Sequence, residues 1–431
     1  MTKILLLENP HEVADKVFSD ANVQVDRVDG ALDENDLIKA LQGYQMVGIR
    51  SKTNLSKRVF DECPDLVCAG TFTIGTNQID LPEAAKHGVA VFNAPYSNTR
   101  SVAELAIAEI IALARQLPVR NSHLQNADWQ KTAKGSHEVR GKTLGIIGYS
   151  STGTQLSILA EAMGMKVQFY DLAKKLPIGN AKQCNSLEEA LQGADFVSLH
   201  VDGRASNENM FTRVQMNQMK PGAKLLNLSR GFVVNLDDLA EALDSGQIGG
   251  CAIDVFPDEP RKNGEEFHSP IMGKENTILT PHIGGSTLEA QEDIGWFVAG
   301  KLCTYLQSGE TVMSVNMPNL SLEPTGNTKY RITLIHKNIP GVMAKINQLF
   351  SDAGVNIEGQ VLGTNGEVGY VIGDISSEMP KAALDEISKF ESTLSLRCIP
   401  IEGFVRDEEA AGSNPATPTR ANAHNIAKKP A

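Results

Sequence analysis

The chain of 431 residues lacks a CxxC pair, long apolar runs, an excess of positive charge and all but a small aromatic content of 5%. Each absence removes a class of function. The six cysteines, Cys63, Cys68, Cys184, Cys251, Cys303 and Cys398, are scattered, the pattern of packed thiols in a reducing compartment rather than of a disulfide framework. The nine histidines show no ligand spacing, so no metal site is expected. The opening run Ile4-Leu5-Leu6-Leu7 ends at Glu8, too short for a signal-peptide core, and no stretch approaches the about 18 apolar residues of a membrane span. A cytoplasmic location is the expectation. With 40 Lys and Arg against 52 Asp and Glu the formal net charge is -12, which argues against a nucleic-acid or anionic-membrane surface but permits a local basic pocket for a small anion.

What is present is ordinary globular patterning, 41% hydrophobic, over a length that requires two to four domains. Residues 2 to about 95 alternate apolar runs (Ile4 to Leu7, Met46 to Ile49, Leu66 to Ala69, Val89 to Phe92) with polar helix-compatible segments, the rhythm of βα units around a parallel sheet. A helical pattern from Val102 to Ile111 leads into buried-strand segments at 144–149, 165–171, 196–201, 223–229, 249–256 and 277–282, enough for a complete dinucleotide-binding sheet. From Thr328 the rhythm becomes strand, helix, strand, strand, helix, strand, with Pro340-Gly341 and Met379-Pro380 opening the helices: a compact βαββαβ module. The tail, 403–431, is rich in Ala, Asn, Pro and Thr without apolar periodicity, and disorder is expected of it.

The strand Leu144-Gly145-Ile146-Ile147 runs into Gly148-Tyr149-Ser150-Ser151-Thr152-Gly153 and a helical pattern from Gln155. Strand, glycine turn and helix N-terminus together make an anion site for a pyrophosphate, because free N–H groups and the helix dipole point at it. Asp171 ends the next strand, where a carboxylate accepts hydrogen bonds from the adenosine ribose and repels a 2′-phosphate, favouring NAD over NADP. Ser150 stands where such fingerprints carry glycine. If its backbone is left-handed, serine costs roughly 1–2 kcal/mol; if the backbone is ordinary, its hydroxyl is free to bond a phosphate. The sequence leaves both open.

Arg230, Glu259 and His282 fall at or just beyond strand ends, where an open parallel sheet presents its ligand site. Hydride transfer from a 2-hydroxy acid needs a base near neutral pKa, a carboxylate that orients it and a cation for the substrate's carboxylate, roles suited to histidine, glutamate and arginine. Singly, His282 after Pro281 would serve as a strand cap, Arg230 as a surface ion pair and Glu259 as a solvated loop residue. The strings around them decide. Asn227-Leu228-Ser229-Arg230-Gly231, Asp254-Val255-Phe256-Pro257-Asp258-Glu259-Pro260 and Thr280-Pro281-His282-Ile283-Gly284-Gly285 resemble the signature segments of the D-2-hydroxyacid dehydrogenases. By that resemblance Arg230 binds the substrate carboxylate, Glu259 partners the base, His282 is the acid/base and Asp254 contacts the nicotinamide end.

Gly75-Thr76-Asn77-Gln78-Ile79-Asp80 and the segment from Phe92 to Glu104 narrow the resemblance to the phosphoglycerate dehydrogenase branch, over essentially residues 2 to 402. The branch implies that Arg50 and Lys52 bind a substrate phosphate. It places Trp129 and Lys131 near a neighbouring subunit's active site, with interface packing an equal reading for Trp129. The fold it implies is α/β: a Rossmann-type dinucleotide-binding domain, 97–286, inserted in a flavodoxin-like substrate-binding domain, 1–96 and 287–325, followed by a ferredoxin-like βαββαβ module, 328–402. That module resembles an ACT domain. Ile335-His336-Lys337-Asn338 and Gly354-Val355-Asn356-Ile357 match segments that bind L-serine between paired ACT domains, with His336, Asn338 and Asn356 supplying hydrogen-bonding groups. The resemblance therefore implies NAD-dependent oxidation of 3-phosphoglycerate in serine biosynthesis, inhibition by L-serine and a homotetramer. Another 2-hydroxy or 2-oxo acid such as 2-hydroxyglutarate is the nearest rival substrate, and a catalytically weak sensor the rival class, motivated by Ser150.

Overall fold

The structure, a computed structural model, describes residues 2–260 and 264–401; the tail 403–431 lies outside the described residues. Two compact units divide the chain, Met1–Ala84 with Val89–Cys303, and Ala85–Gly88 with Thr304 onward. Among the described residues no helix is long and apolar enough to cross a membrane.

The first unit holds two parallel sheets. β1 (Lys3–Leu7), β2 (Gln24–Val28), β3 (Met46–Ile49), β4 (Cys68–Thr71) and β5 (Ala90–Phe92) form one in the order β2-β1-β3-β4-β5, the flavodoxin-like arrangement. The apolar runs read from the sequence supply β1, β3, β4 and β5. β2, Gln-Val-Asp-Arg-Val, gave no apolar signal because it is an edge strand and stays partly exposed. Farther along the chain, Val298 and Leu302 of the helix Leu288–Ser308 lie against Gly70 of β4, so closely that a Cβ there would meet them at 2.6 and 2.8 Å.

The second sheet comprises β6 (Thr143–Ile147), β7 (Lys166–Tyr170), β8 (Lys182–Gln183), β9 (Phe196–Leu199), β10 (Ala223–Asn227), β11 (Ile248–Ile253) and β12 (Thr277–Leu279) in the order β12-β11-β10-β9-β6-β7-β8. Six of these match the predicted runs; β8 is a two-residue edge, too short to leave a pattern. One face packs the helices Thr99–Ala114 and Ser151–Ala162 through residues such as Ala106, Ile110, Leu156 and Ala160, and the opposite face packs Leu191, Met216 and Leu239. Burial on both faces is why these strands read as continuous apolar runs. The chain passes from β6 to β7 on one side and places β9 on the other, so a crevice opens between the loops after β6 and β9, the switch point where such sheets bind ligands.

In the second unit β13 (Tyr330–Lys337), β14 (Ile357–Asn365), β15 (Val368–Ile375) and β16 (Thr393–Pro400) make an antiparallel sheet, order β14-β15-β13-β16. With the helices Val342–Asp352 and Lys381–Ser388 this is the ferredoxin-like βαββαβ topology. Ile332, Leu334, Ile346, Phe350, Val371 and Ile387 form its core. The other face is covered too: the Tyr370 hydroxyl donates to Gly309 O at 2.5 Å, and Arg331 donates to the carbonyls of Ser308 and Leu322 at 3.1 and 2.5 Å.

Candidate active site

Every cofactor and catalytic position read from the sequence in the second sheet sits at its C-terminal edge. After β6, Gly148 has φ +94°, and a Cβ there would meet His200 O at 2.4 Å, so only glycine fits the turn. A Cβ on Gly153 would meet Gly148 O at 2.2 Å, which lets the helix Ser151–Ala162 begin hard against the strand. Ser150, the N-cap residue, has φ -93° and ψ -154°, extended backbone that any residue adopts, and no side chain caps the helix. The left-handed cost considered for serine therefore does not arise, and the N–H groups of Ser151, Thr152 and Gly153 face the crevice end with no capping side chain between. Asp171, just past β7, accepts from Tyr149 N at 2.9 Å through Oδ2 and from Ala173 N at 2.9 Å through Oδ1. Its carboxylate is thereby fixed beside the glycine turn. A glycine cradle, an uncapped helix start and a carboxylate on the next strand fit a dinucleotide.

On the other side of the sheet the buried Asn227 side chain knots the turn after β10. Its Oδ1 accepts from Ser229 N and Oγ at 3.1 and 2.8 Å, and its Nδ2 donates to Arg230 O at 3.0 Å. Arg230 Nη1 donates to Ser229 O at 2.7 Å. A Cβ on Gly231 would lie 2.0 Å from Phe256 C and O, so glycine brings this turn against the loop that carries Glu259. Glu259 Oε1 accepts from Phe256 N at 3.0 Å, and Oε2 lies 2.8 Å from His282 Nδ1.

His282 has φ +54°, a left-handed conformation that costs a non-glycine residue on the order of 1–3 kcal/mol. Asp254 holds it there. Its carbonyl accepts from His282 N at 2.7 Å, Oδ1 accepts from Thr280 Oγ1 at 2.6 Å and Ile283 N at 2.8 Å, and Oδ2 accepts from Gly284 N at 2.8 Å. The fully buried Asp254 thus anchors the loop of the histidine. The hydrogen bond to Glu259 pulls the His282 pKa above its ordinary value against desolvation, with the charges of Glu259 and Asp254 adding and Arg230 opposing. Burial pushes the Glu259 carboxyl up, but hydrogen bonds from His282 and Phe256 N–H, with the charges of His282 and Arg230, outweigh it and hold the group below its ordinary value. Arg230, Glu259 and His282 are one electrostatic cluster.

Arg50 and Lys52 lie on the turn after β3. Glu8, at the end of β1, ties that turn down, accepting from the backbone N–H of Arg50, Lys52 and Thr53 at 3.3, 3.0 and 2.7 Å. Arg50 Nη2 donates to Gln291 Oε1 at 2.8 Å. Trp129 is 78% exposed. In the second unit His336 is buried at the end of β13, its Nδ1 2.8 Å from Lys337 O and its Nε2 without a protein partner. Asn338 donates to Gly366 O at 3.1 Å, and Asn356 donates to Glu358 Oε1 at 2.7 Å. The ladder pairs His336 with Gly369 and Ile357 with Ile375, which puts Asn356 at the opposite end of the sheet from His336 and Asn338.

Glu8 escaped sequence reasoning because it ties a turn more than 40 residues away, and Asn227 because its bonds to Ser229 and Arg230 appear only once the turn after β10 is folded. Glu109 also escaped, although a signal existed: it shares the buried face of the helix Thr99–Ala114 with Val102, Ala106 and Leu113. Burial, with the charge of Asp254, pushes its carboxyl up to about 8, and neither oxygen hydrogen-bonds to the protein; it is a neutral acid at pH 7.

A model of the D-isomer specific 2-hydroxyacid dehydrogenase NAD binding domain matches residues 107–284, and a model of AHAS small subunit-like ACT domains matches residues 332–395. The D-3-phosphoglycerate dehydrogenase of Haemophilus influenzae is 47% identical over 398 residues, 92% of this chain and 97% of its own. That of Escherichia coli is 46% identical over 400 residues, with the same 92% and 97% coverage. Among solved structures, a D-lactate dehydrogenase from Sporolactobacillus superposes with a TM-score of 0.63 at 28% identity, over 74% of this chain and all of that one. With the NAD-binding edge and the histidine–glutamate pair in place, the chain belongs to the D-3-phosphoglycerate dehydrogenases of the D-isomer-specific 2-hydroxyacid dehydrogenase family.

Proposed function

We propose that the protein oxidises 3-phospho-D-glycerate to 3-phosphohydroxypyruvate with NAD, as the first step of phosphorylated serine biosynthesis in the cytoplasm, and that L-serine inhibits it through the ACT module of a homotetramer. The observation that carries this reading is the 2.8 Å contact of His282 with Glu259 in the field of Arg230.

Bound NAD supplies the acceptor for the hydride leaving C2. Arg230 grips the substrate carboxylate with its planar fork. Glu259 accepts the Nδ1–H of His282, which fixes the tautomer and leaves the Nε2 lone pair to take the hydroxyl proton. Arg50 and Lys52 bind the phosphate from the turn that Glu8 holds. Gly148 to Gly153 receive the pyrophosphate, Asp171 the adenosine ribose, and Asp254, besides anchoring the His282 loop, borders the nicotinamide end.

In the ACT module His336 and Asn338 lie at one end of the sheet and Asn356 at the other, a strand length of about 25 Å away. One module cannot gather all three around a small zwitterion, so a shared serine site requires a second copy. Serine then slows turnover to the extent that it binds one arrangement of the copies more tightly than the other.

The test is NADH formation by the purified protein with 3-phosphoglycerate, and separately with 2-hydroxyglutarate, with and without L-serine. Turnover of the phosphate ester that serine suppresses is the expected result; turnover of 2-hydroxyglutarate alone overturns the substrate assignment, and indifference to serine overturns the regulatory one. The pH profile gives a second check. Oxidation needs neutral His282, so kcat/KM rises with pH through its pKa, and the raised value puts this limb above about 6.5. Glu259→Gln removes the largest raising influence, so the limb should move to lower pH while kcat falls on the order of 10²-fold. A limb that stays in place in the variant would assign the titration to another group.

A further inference from the structure

The loop after β9 borders the crevice opposite the loop after β6 that holds Ser150 to Gly153. Asn207 folds it, donating from Nδ2 to Asp202 O at 3.0 Å and Oδ1 at 3.1 Å. The loop begins against the glycine turn, since a Cβ on Gly148 would meet His200 O at 2.4 Å, and farther along a Cβ on Gly203 would lie 3.3 Å from Arg230 Nε. The next residue, Arg204, carries its guanidinium within electrostatic reach of Asp171. A dinucleotide spanning from Arg230 to Asp171 therefore passes its pyrophosphate alongside Arg204. That guanidinium is now paired with Asp202 through two bonds, Nε to Oδ1 at 2.7 Å and Nη2 to Oδ2 at 2.5 Å, with both side chains about half exposed, 54% and 56%. Exposed ion pairs contribute little, so exchanging this carboxylate for a phosphate costs little, and a phosphate offers the same fork geometry.

We propose that Arg204 is a phosphate-recognising residue of the dinucleotide site: it turns from Asp202 to the cofactor's pyrophosphate and supplies from the β9 wall a cation that the hydroxyl-rich Ser150-Ser151-Thr152 turn lacks. The inference rests on reading this crevice as the NAD site. Asp171 remains fixed by Tyr149 and Ala173, so the pyrophosphate, common to NAD and NADP, is the target rather than a 2′-phosphate.

The experiment is a fluorescence titration of NADH and of NADPH into the intact wild-type protein, Arg204→Gln and Arg204→Lys, at low and physiological salt, with thermal unfolding as the check on folding. Arg204→Gln should bind NADH about tenfold more weakly, roughly 1.4 kcal/mol, with a shallower salt dependence, and NADPH should weaken in parallel. Arg204→Lys should fall between, keeping the charge without the fork. NADH affinity of Arg204→Gln within twofold of wild type overturns the proposal, as does a loss confined to NADPH. Wild-type protein that does not bind NADH overturns the reading of the crevice itself, a different result from normal binding that ignores Arg204.

Discussion

His282→Ala should lower turnover with 3-phosphoglycerate by on the order of 10³-fold or more, while the Kd for NADH changes by no more than a few-fold. Structure and chemistry separate cleanly at this position. The side chain is 53% exposed, so truncation opens no core cavity, and the loop stays tied to Asp254 through backbone N–H groups and Thr280 that the substitution leaves alone. What disappears is the imidazole that Glu259 orients through Nδ1 and to which the proposed mechanism gives the hydroxyl proton. Steady-state NADH formation paired with NADH titration measures both quantities; wild-type turnover in the variant would remove His282 from the mechanism, and a parallel collapse of NADH binding would make its role structural.

Asp374→Ala should destabilise the second unit by about 3–5 kcal/mol. Arg331 and Asp374 are 3% and 1% exposed and joined by two bonds, 2.6 and 2.9 Å. Removing the carboxylate leaves a buried guanidinium whose remaining partners, the Ser308 and Leu322 carbonyls, do not neutralise its charge. Replacing both members with apolar residues should recover only part of the loss, because those two carbonyls then lose their donor. Denaturant unfolding of the variants measures this, and an unchanged midpoint for Asp374→Ala would show that the pair is neutral to stability.

Much of the architecture was legible because it is written locally. Strands buried on both faces leave apolar runs, so β6, β7, β9, β10, β11 and β12 were visible, while the polar edge strand β2 and the two-residue β8 were not. The glycine turn was readable from Gly148 and Gly153 because their neighbours exclude a Cβ. Ser150 was undecidable, since the same sequence is compatible with either backbone region until packing selects one; the fold selects the extended one.

The sequence by itself determined the kind of chemistry: the strings around Arg230, Glu259 and His282 resemble the signature segments of the family, and such local strings are readable without knowledge of the fold. Only the tertiary structure decided which atoms meet. Glu259 reaches across 23 positions to His282, Glu8 ties a turn more than 40 residues away, and Asn356 stands at the far end of a sheet from His336. Each of these depends on sheet order and strand register, which are set by the burial of many side chains together and are carried by no single stretch of sequence.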